Sequence, residues 1–402
     1  LICGLRDRLF CRLIDEVARP GRYADNEINL RGERDGRVKV LLCFPDLYDI
    51  GMSNLGLRIL YHIINRHPDF VGDLAFAPWV DMESFMRANK LPLSGLGTGI
   101  PARRFSILGF SLQHELQYAN VLTMLDLAGV PLKAADRGTE DPIVVAGGPC
   151  VFNPEPMVDF IDAFAVGDGE AVCLEIAAAV LEGREAAGTR VEVLERLAAI
   201  EGVYVPRFHD PGQPGVRIRR RVEPELREDD FPLPPIVPIA PITHDRLTIE
   251  IMRGCTRGCR FCSAGMVGRP VRERSAGSVV RLADQGIRQS GWEEVSLVSL
   301  STSDHTELEQ MVRDMTCLLG DRRVSISLPS MRPGTFSTAV ARLIASTKRT
   351  GLTFAPEAGS DRLRRVINKD IDEGELFATI ETAFKAGWDA VKLYFMIGLP
   401  TE

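Results

Sequence analysis

No run of apolar residues in this chain approaches the roughly 18–20 that a membrane helix needs, so nothing in it reads as a transmembrane segment. The apolar core of a secretory signal is also missing, since residues 1–20 alternate charged and apolar side chains, as in Leu5-Arg6-Asp7-Arg8-Leu9-Phe10. The nine cysteines form no dense disulfide framework, and no second CxxC pair exists. These absences make a reducing, cytoplasmic compartment the expectation. A basic balance is lacking too: a net charge of −7 gives no general pull on nucleic acid. The single basic run, Arg217-Ile218-Arg219-Arg220-Arg221, reads as a solvated strand edge. RNA is the lesser alternative, and no other feature of the sequence supports it.

What the chain does have is length for two or three domains and a composition, 45% apolar and 26% charged, ordinary for a globular fold. Residues 6–18 have helical spacing and lead into a polar stretch, so 1–36 is expected to be an arm packed on the domain after it. Residues 38–44 are nearly continuously apolar, the mark of a strand buried on both faces of a parallel sheet. Strands at 74–77, 106–112, 143–146 and 163–166 then alternate with helices at 55–64, 115–127 and 170–181. That alternation predicts a doubly wound, Rossmann-like α/β domain over 37–201. Prolines punctuate 202–243 and mark a stiff connector. From 244 to 402 a second series of strands (247–252, 294–298, 324–328, 351–354, 390–395) alternates with helices (279–289, 306–319, 337–346, 373–386). Five βα-type strands of a partial barrel are expected, with function at their carboxyl ends.

The first strand of that series runs into Arg253-Gly254-Cys255-Thr256-Arg257-Gly258-Cys259-Arg260-Phe261-Cys262, whose CxxxCxxC spacing crowds three thiols into one loop. A 4Fe–4S cubane wants one thiolate on each iron, and Cys255, Cys259 and Cys262 supply three, leaving one iron open to a chelating co-substrate such as the amino and carboxylate groups of S-adenosylmethionine. Gly254 and Gly258 suit a tightly wrapped backbone, Phe261 can cover the cluster and offer a ring face, and Arg257 and Arg260 can offset its charge. Zinc is the competing reading. Structural zinc takes four ligands, however, and only Cys317 remains in this half, where it reads as a buried helix position.

In this loop, in 244–274, in Gly351-Leu352-Thr353-Phe354-Ala355-Pro356-Glu357-Ala358-Gly359 and in 392–402, the chain resembles the radical S-adenosylmethionine enzymes, specifically a subgroup with a cobalamin-binding-like domain ahead of a partial (β/α)6 barrel. The resemblance covers essentially the whole chain, with the barrel ending near its fifth strand, as in a fragment of a longer protein. It implies an enzyme that reductively cleaves S-adenosylmethionine to a 5′-deoxyadenosyl radical acting on a substrate the sequence does not name. A one-electron reductant such as flavodoxin or ferredoxin is implied as partner. It implies further that Ser299 and Ser301 meet the methionine amino group, that Ser330 faces the same mouth, that Glu357 accepts from the ribose or ammonium, and that one of Arg362, Arg364 and Arg365, with Arg365 preferred, pairs with the carboxylate. Phe261 and the backbone at Gly398 complete the cofactor contacts. The different-class alternative is a non-catalytic iron–sulfur scaffold or partner-binding protein.

The resemblance also points to a corrin site at the strand ends of the first domain: Asp46, Tyr48 and Gly51 where cobalamin domains read DxHxxG, Ser111 in a serine loop, and the double glycine Gly147-Gly148. Tyr48 stands where the family has its cobalt-binding histidine. A phenol with an ordinary pKa of about 10 is a poor neutral-pH ligand. Two readings therefore stay open, a corrin held without a protein nitrogen on cobalt and a crevice filled by Tyr48 itself. His62 and His114 read as packed or capping residues.

Overall fold

The computed structural model of the chain describes residues 12–24, 27–31, 36–208, 217–335, 338–345 and 351–402. Its contacts divide into two units, one taking in the chain to Glu223 and Pro235–Asp245, the other Pro224–Pro234 and Arg246–Glu402. The proline-rich stretch is thus shared between the units. Of the expected helix at 6–18, residues 12–16 are helical, and 1–11 lie outside the described residues.

In the first unit, β1 (Val38–Phe44) is buried along its whole length except at Lys39. Its alternate residues feed opposite faces. Val38, Val40, Leu42 and Phe44 pack with Leu57, Tyr61 and Ile64 of α1 (Leu55–Arg66) and with Val172, Ile176 and Val180 of α4 (Glu170–Glu185). Leu41 and Cys43 pack on the other side with Met86 of α2 (Val80–Asn89) and with Val121, Met124 and Leu125 of α3 (Tyr118–Ala128). Both faces are covered, which is why the strand needs no polar side.

The sheet runs β2-β1-β3-β4-β5-β6, with β2 (Phe70–Phe76), β3 (Ile107–Ser111), β4 (Ile143–Gly147) and β5 (Ala163–Ala165) parallel and β6 (Val203–Tyr204) antiparallel. From β1 the chain goes outward to β2 and then crosses to β3 on the other side. The topological switch point therefore lies between the carboxyl ends of β1 and β3, where such sheets take ligands. Strand β2 begins four residues earlier than the sequence suggests. Gly72 and Asp73 resemble turn residues, but the Asn65 side chain exchanges two hydrogen bonds with Gly72, at 3.0 and 3.2 Å. The Asp73 carboxylate accepts from the Gly97 and Thr98 amides and the Thr98 hydroxyl at 2.6–2.9 Å. A buried carboxylate satisfied this fully is tolerated inside a strand.

The second unit carries the expected five parallel strands in two sheets: β7 (Leu247–Glu250), β10 (Glu294–Val298) and β11 (Ser325–Ser327) in order β11-β10-β7, and β12 (Leu352–Glu357) beside β13 (Val391–Phe395). No closed barrel forms among the described residues. Helix α6 (Ala276–Ser290), capped by the Ser275 hydroxyl on Ser278 N–H, buries Val279, Leu282, Ala283 and Ile287. In α7 (Leu308–Leu319) the buried stripe is Leu308, Met311, Val312, Met315 and Leu319. Cys317 falls off that stripe and is exposed, which corrects the expectation of a buried position. The basic run forms no edge strand either. Its backbone contributes an isolated parallel bridge from Arg221 to Gly167, and Arg221 and Arg219 form ion pairs with Glu175 and Glu201.

Asp162 is a buried charge of the first unit, and its Oδ2 accepts from Arg137 at 2.9 Å, from Arg190 at 2.7 Å and from the Val144 amide at 2.8 Å. Deleting one partner strands the others in a low dielectric. Asp162→Ala is expected to lower the stability of this unit by about 3–5 kcal/mol in urea unfolding followed by circular dichroism; a loss below about 1 kcal/mol would show that the cluster carries little.

Candidate functional site

Strand β7 delivers the chain to a short antiparallel pair, β8 (Met252–Arg253) with β9 (Arg272–Glu273), and the three-cysteine loop is the excursion between them. Gly254 opens it at φ +87°, and an added Cβ would lie 2.5 Å from the Gly268 carbonyl oxygen and 2.9 Å from that of Pro270. Only glycine fits that crossing. Arg272, buried, fastens the returning strand by donating to the carbonyls of Pro270 and Gly268, each at 3.0 Å.

Cys255, Cys259 and Cys262 are half-buried thiols with no disulfide partner. The Arg257 amide points at Cys255 Sγ and the Gly265 amide at Cys262 Sγ, both at 3.4 Å. Amide donors on sulfur stabilise the thiolate, so this donor set fits an iron–sulfur cluster. Among the described residues no three His, Cys, Asp or Glu side chains converge on one point as a single ion requires. A cubane instead takes each thiolate on a different iron.

The loop is held from two sides, by the segment after β10 and by the carboxyl end of the helix Asp361–Val366. Arg257 forms a fork on Asp304, Nε to Oδ2 at 2.8 Å and Nη2 to Oδ1 at 2.5 Å. On the other side the Arg260 amide donates to Ile367 O at 2.9 Å, its guanidinium to Val366 O, and Asn368 Nδ2 to Gly258 O at 2.7 Å. Both arginines expected to offset cluster charge are therefore engaged as tethers. Burial pushes the Asp304 carboxyl up, but hydrogen bonds from Arg257 and Ser301 outweigh it and hold the group below the usual carboxylate range.

The loop after β10 and that after β11 meet beside this tether. Ser299 shares a 3.0 Å hydrogen bond with Thr302, Ser301 donates to Asp304 at 2.7 Å, and the Thr302 amide donates to Ser330 O at 2.8 Å. Arg332 is buried and donates to Asp370 O. His305 is structural, its Nε2 3.0 Å from Arg274 O.

Glu357 ends β12 at φ +67°, a conformation costly for a non-glycine residue and concentrated at functional sites. Its Oε1 lies 3.4 Å from Lys369 Nζ. Lys369 escaped the sequence reading because it comes after α9 (Asp361–Val366) with no pattern of its own. The three arginines separate cleanly. Arg362 is taken by Thr401 Oγ1 and O at 2.9 and 2.8 Å, Arg364 is buried against Ala358 O at 2.8 Å, and Arg365 is exposed. Phe261 is exposed, and Gly398 takes φ +79° with open space where a Cβ would stand, its amide donating to Glu402 Oε2 at 2.7 Å.

In the first unit, Tyr48 is core. Its hydroxyl donates to Glu27 Oε1 at 2.8 Å, and its ring meets Phe76 edge-on at 5.4 Å. Burial first, then the Glu27 carboxylate, push its phenol well above the ordinary value, so it presents no anionic oxygen to a metal. Gly51 is needed for packing, because a Cβ there would run into the Phe76 ring. Gly148, at φ +98°, makes room for Leu112 O, 2.5 Å from an added Cβ, and so serves its own chain; an added Cβ at Gly147 would make only an ordinary contact with Ala165 O at 3.9 Å. The Ser111 hydroxyl accepts from Gln113 at 2.8 Å. These residues do not fit a corrin held by a ligand at position 48. Two residues at this switch point stand differently from the sequence expectation: His114, expected to be packed or capping, is exposed and its side chain makes no cap hydrogen bond, and Gln117 was not singled out. His114 Nε2 lies 3.8 Å from Asp46 Oδ2, and Gln117, buried, accepts from the Gln113 amide at 2.8 Å while its Nε2 has no partner among the described residues. Their place directly after β3 was the available signal.

Comparison with known proteins bears on both units. Residues 56–206 match the family described as radical SAM proteins, N-terminal, and residues 249–402 match the radical SAM superfamily. An uncharacterised protein of Methanocaldococcus jannaschii is 29% identical over 364 residues, 90% of this chain and 70% of that protein. A Pyrococcus horikoshii protein, named an uncharacterised methyltransferase, is 26% identical over 283 residues, 67% of this chain and 57% of its own length. Among solved structures, the radical S-adenosylmethionine methyltransferase TsrM of Kitasatospora setae, with tryptophan and an S-adenosylmethionine analogue bound, is similar at TM-score 0.59 and 16% identity, over 90% of this chain and 68% of that one. The cobalamin-dependent radical enzyme OxsB, with aqua-cobalamin and S-adenosylmethionine bound, is similar at TM-score 0.60 and 15% identity, over 89% and 49%. At such identities the likeness is one of fold.

The crossing at Gly254 gives a direct test of the loop. Gly254→Ala is expected to keep the far-ultraviolet circular dichroism of the wild type and lose most of its iron on anaerobic reconstitution, whereas Cys317→Ala keeps its full iron content. Normal iron in Gly254→Ala, or lost iron in Cys317→Ala, would contradict this account of the loop.

Proposed function

As a member of the radical S-adenosylmethionine superfamily this chain is an enzyme that uses a 4Fe–4S cluster and S-adenosylmethionine, and we propose that it cleaves S-adenosylmethionine reductively to act on a substrate through a 5′-deoxyadenosyl radical. The observation that carries this reading is the loop itself: three half-buried thiols, two of them receiving backbone amides, on a backbone tethered to the segment after β10 and to the end of α9. The cluster, when bound, supplies the electron that splits the sulfonium carbon–sulfur bond.

The protein's part is to bind and orient. Cys255, Cys259 and Cys262 hold three irons. Glu357, strained and steadied by Lys369, accepts from the ribose hydroxyls or the ammonium, and Arg365, exposed where Arg362 and Arg364 are engaged, pairs with the carboxylate. Ser299 and Ser330 offer oxygens at the same strand ends, Gly398 offers its carbonyl, its amide being taken by Glu402, and Phe261 offers a ring face. A one-electron reductant of the flavodoxin or ferredoxin kind completes the reaction.

Methyl transfer is the second reading, favoured by the names of the Pyrococcus relative and of TsrM. It brings cobalamin into question, and Tyr48 argues that any corrin in the first unit binds without a ligand from the DxHxxG position. Titration with cob(II)alamin followed by electron paramagnetic resonance is expected to show no splitting from a protein nitrogen. Splitting that changes when histidine is isotopically labelled would contradict this and point to His114, the imidazole beside Asp46.

The main proposal is tested by reducing the reconstituted full-length protein with S-adenosylmethionine present and measuring 5′-deoxyadenosine by chromatography. Release of the nucleoside is expected. A protein with its cluster verified that yields none, under conditions where a known radical enzyme does, would favour the scaffold reading.

A further inference from the structure

We propose that Asp304 is a positioning residue for the cluster, acting through Arg257 to aim a backbone amide at the Cys255 thiolate. Arg257 lies between two of the three cysteines, and the Nε–Nη2 edge of its guanidinium is held at two points by the Asp304 carboxylate, at 2.8 and 2.5 Å. A two-point fork fixes orientation as well as distance, which a single contact does not.

The carboxylate is itself held. Ser301 donates to its Oδ2 at 2.7 Å, and the Asp304 amide donates to Ser301 O at 3.1 Å. Between them Thr302, fully buried, is anchored through its amide to Ser330 O at 2.8 Å, so the turn is fixed to the end of β11. A continuous chain of contacts thus runs from the second unit's sheet through Asp304 and the Arg257 side chain to the Arg257 amide, which stands 3.4 Å from Cys255 Sγ. Ser301, Thr302 and Asp304 belong to the same loop as Ser299, which the proposed function assigns to the co-substrate.

An amide donor on a ligating sulfur stabilises the more negative, reduced cluster, and hydrogen bonds to sulfur are among the terms that set iron–sulfur potentials. The ion pair is neutral as a whole, so its main effect on the cluster comes through the amide it aims. Removing Asp304 alone would confound that effect by leaving Arg257 unpaired near the cluster. The informative variant removes both charges.

The double variant Arg257→Met/Asp304→Asn keeps the net charge and abolishes the fork. Redox titration of the reconstituted protein, read by electron paramagnetic resonance, is expected to give a midpoint potential more negative than wild type at comparable iron content. Asp304→Glu, which keeps the charge and a fork, should lie nearer to wild type. A double variant with full iron and an unmoved potential overturns the proposal. Should the double variant take up no iron, Arg257→Lys decides: it keeps the charge but has a single nitrogen and cannot form the fork, and a wild-type potential there overturns the proposal equally. The inference rests on the cluster reading of the loop. A wild type that binds no cluster would fail that reading, whereas a wild-type cluster with unmoved variants fails only this inference.

Discussion

Three thiolates in one short loop repel one another and cost solvation, and a loop has no regular hydrogen bonding of its own to hold them in place. The structure answers with anchors outside the loop. Gly254 and Arg272 bind its two ends to each other, Asp304 takes Arg257, and the carbonyls of Val366 and Ile367 take Arg260. Asp304 stands in the loop beyond β10, and Val366 and Ile367 close the helix α9 that follows β12. The residues that would meet the co-substrate, Ser299, Ser330 and Glu357, stand at or just beyond the carboxyl ends of β10, β11 and β12, so the fold that fixes the thiols also fixes their surroundings.

The first unit shows how the same letters can serve different physics. Asp46, Gly51 and the double glycine match a corrin pattern, yet Gly51 admits the Phe76 ring, Gly148 admits Leu112 O, and Tyr48 is held in the core by Glu27. What survives at the switch point is Asp46 facing His114, with Gln117 beneath. The motif's positions persist while its ligand position has been absorbed into packing.

Much of this was legible in the sequence where one local signal decides the outcome. The apolar run 38–44 could only be a doubly buried strand, the alternation after it could only be wound α/β, and the CxxxCxxC spacing identified the loop and its superfamily. What escaped depends on partners far apart in the chain. Gly72 and Asp73 look like a turn until Asn65, Gly97 and Thr98 reach them. Arg257 looks like a charge for the cluster until Asp304, 47 residues on, takes it. Lys369 has no motif at all. Cys317 was misplaced because helical spacing tells which residues share a stripe but not how wide the buried stripe is.

The central claim is that three cysteines leave one iron of a 4Fe–4S cluster open to S-adenosylmethionine. Mössbauer spectroscopy of protein reconstituted with iron-57, recorded before and after adding S-adenosylmethionine, tests it most directly. One of the four irons should change its isomer shift on addition while the other three keep theirs. Four irons that respond alike, or none that responds, would contradict the account.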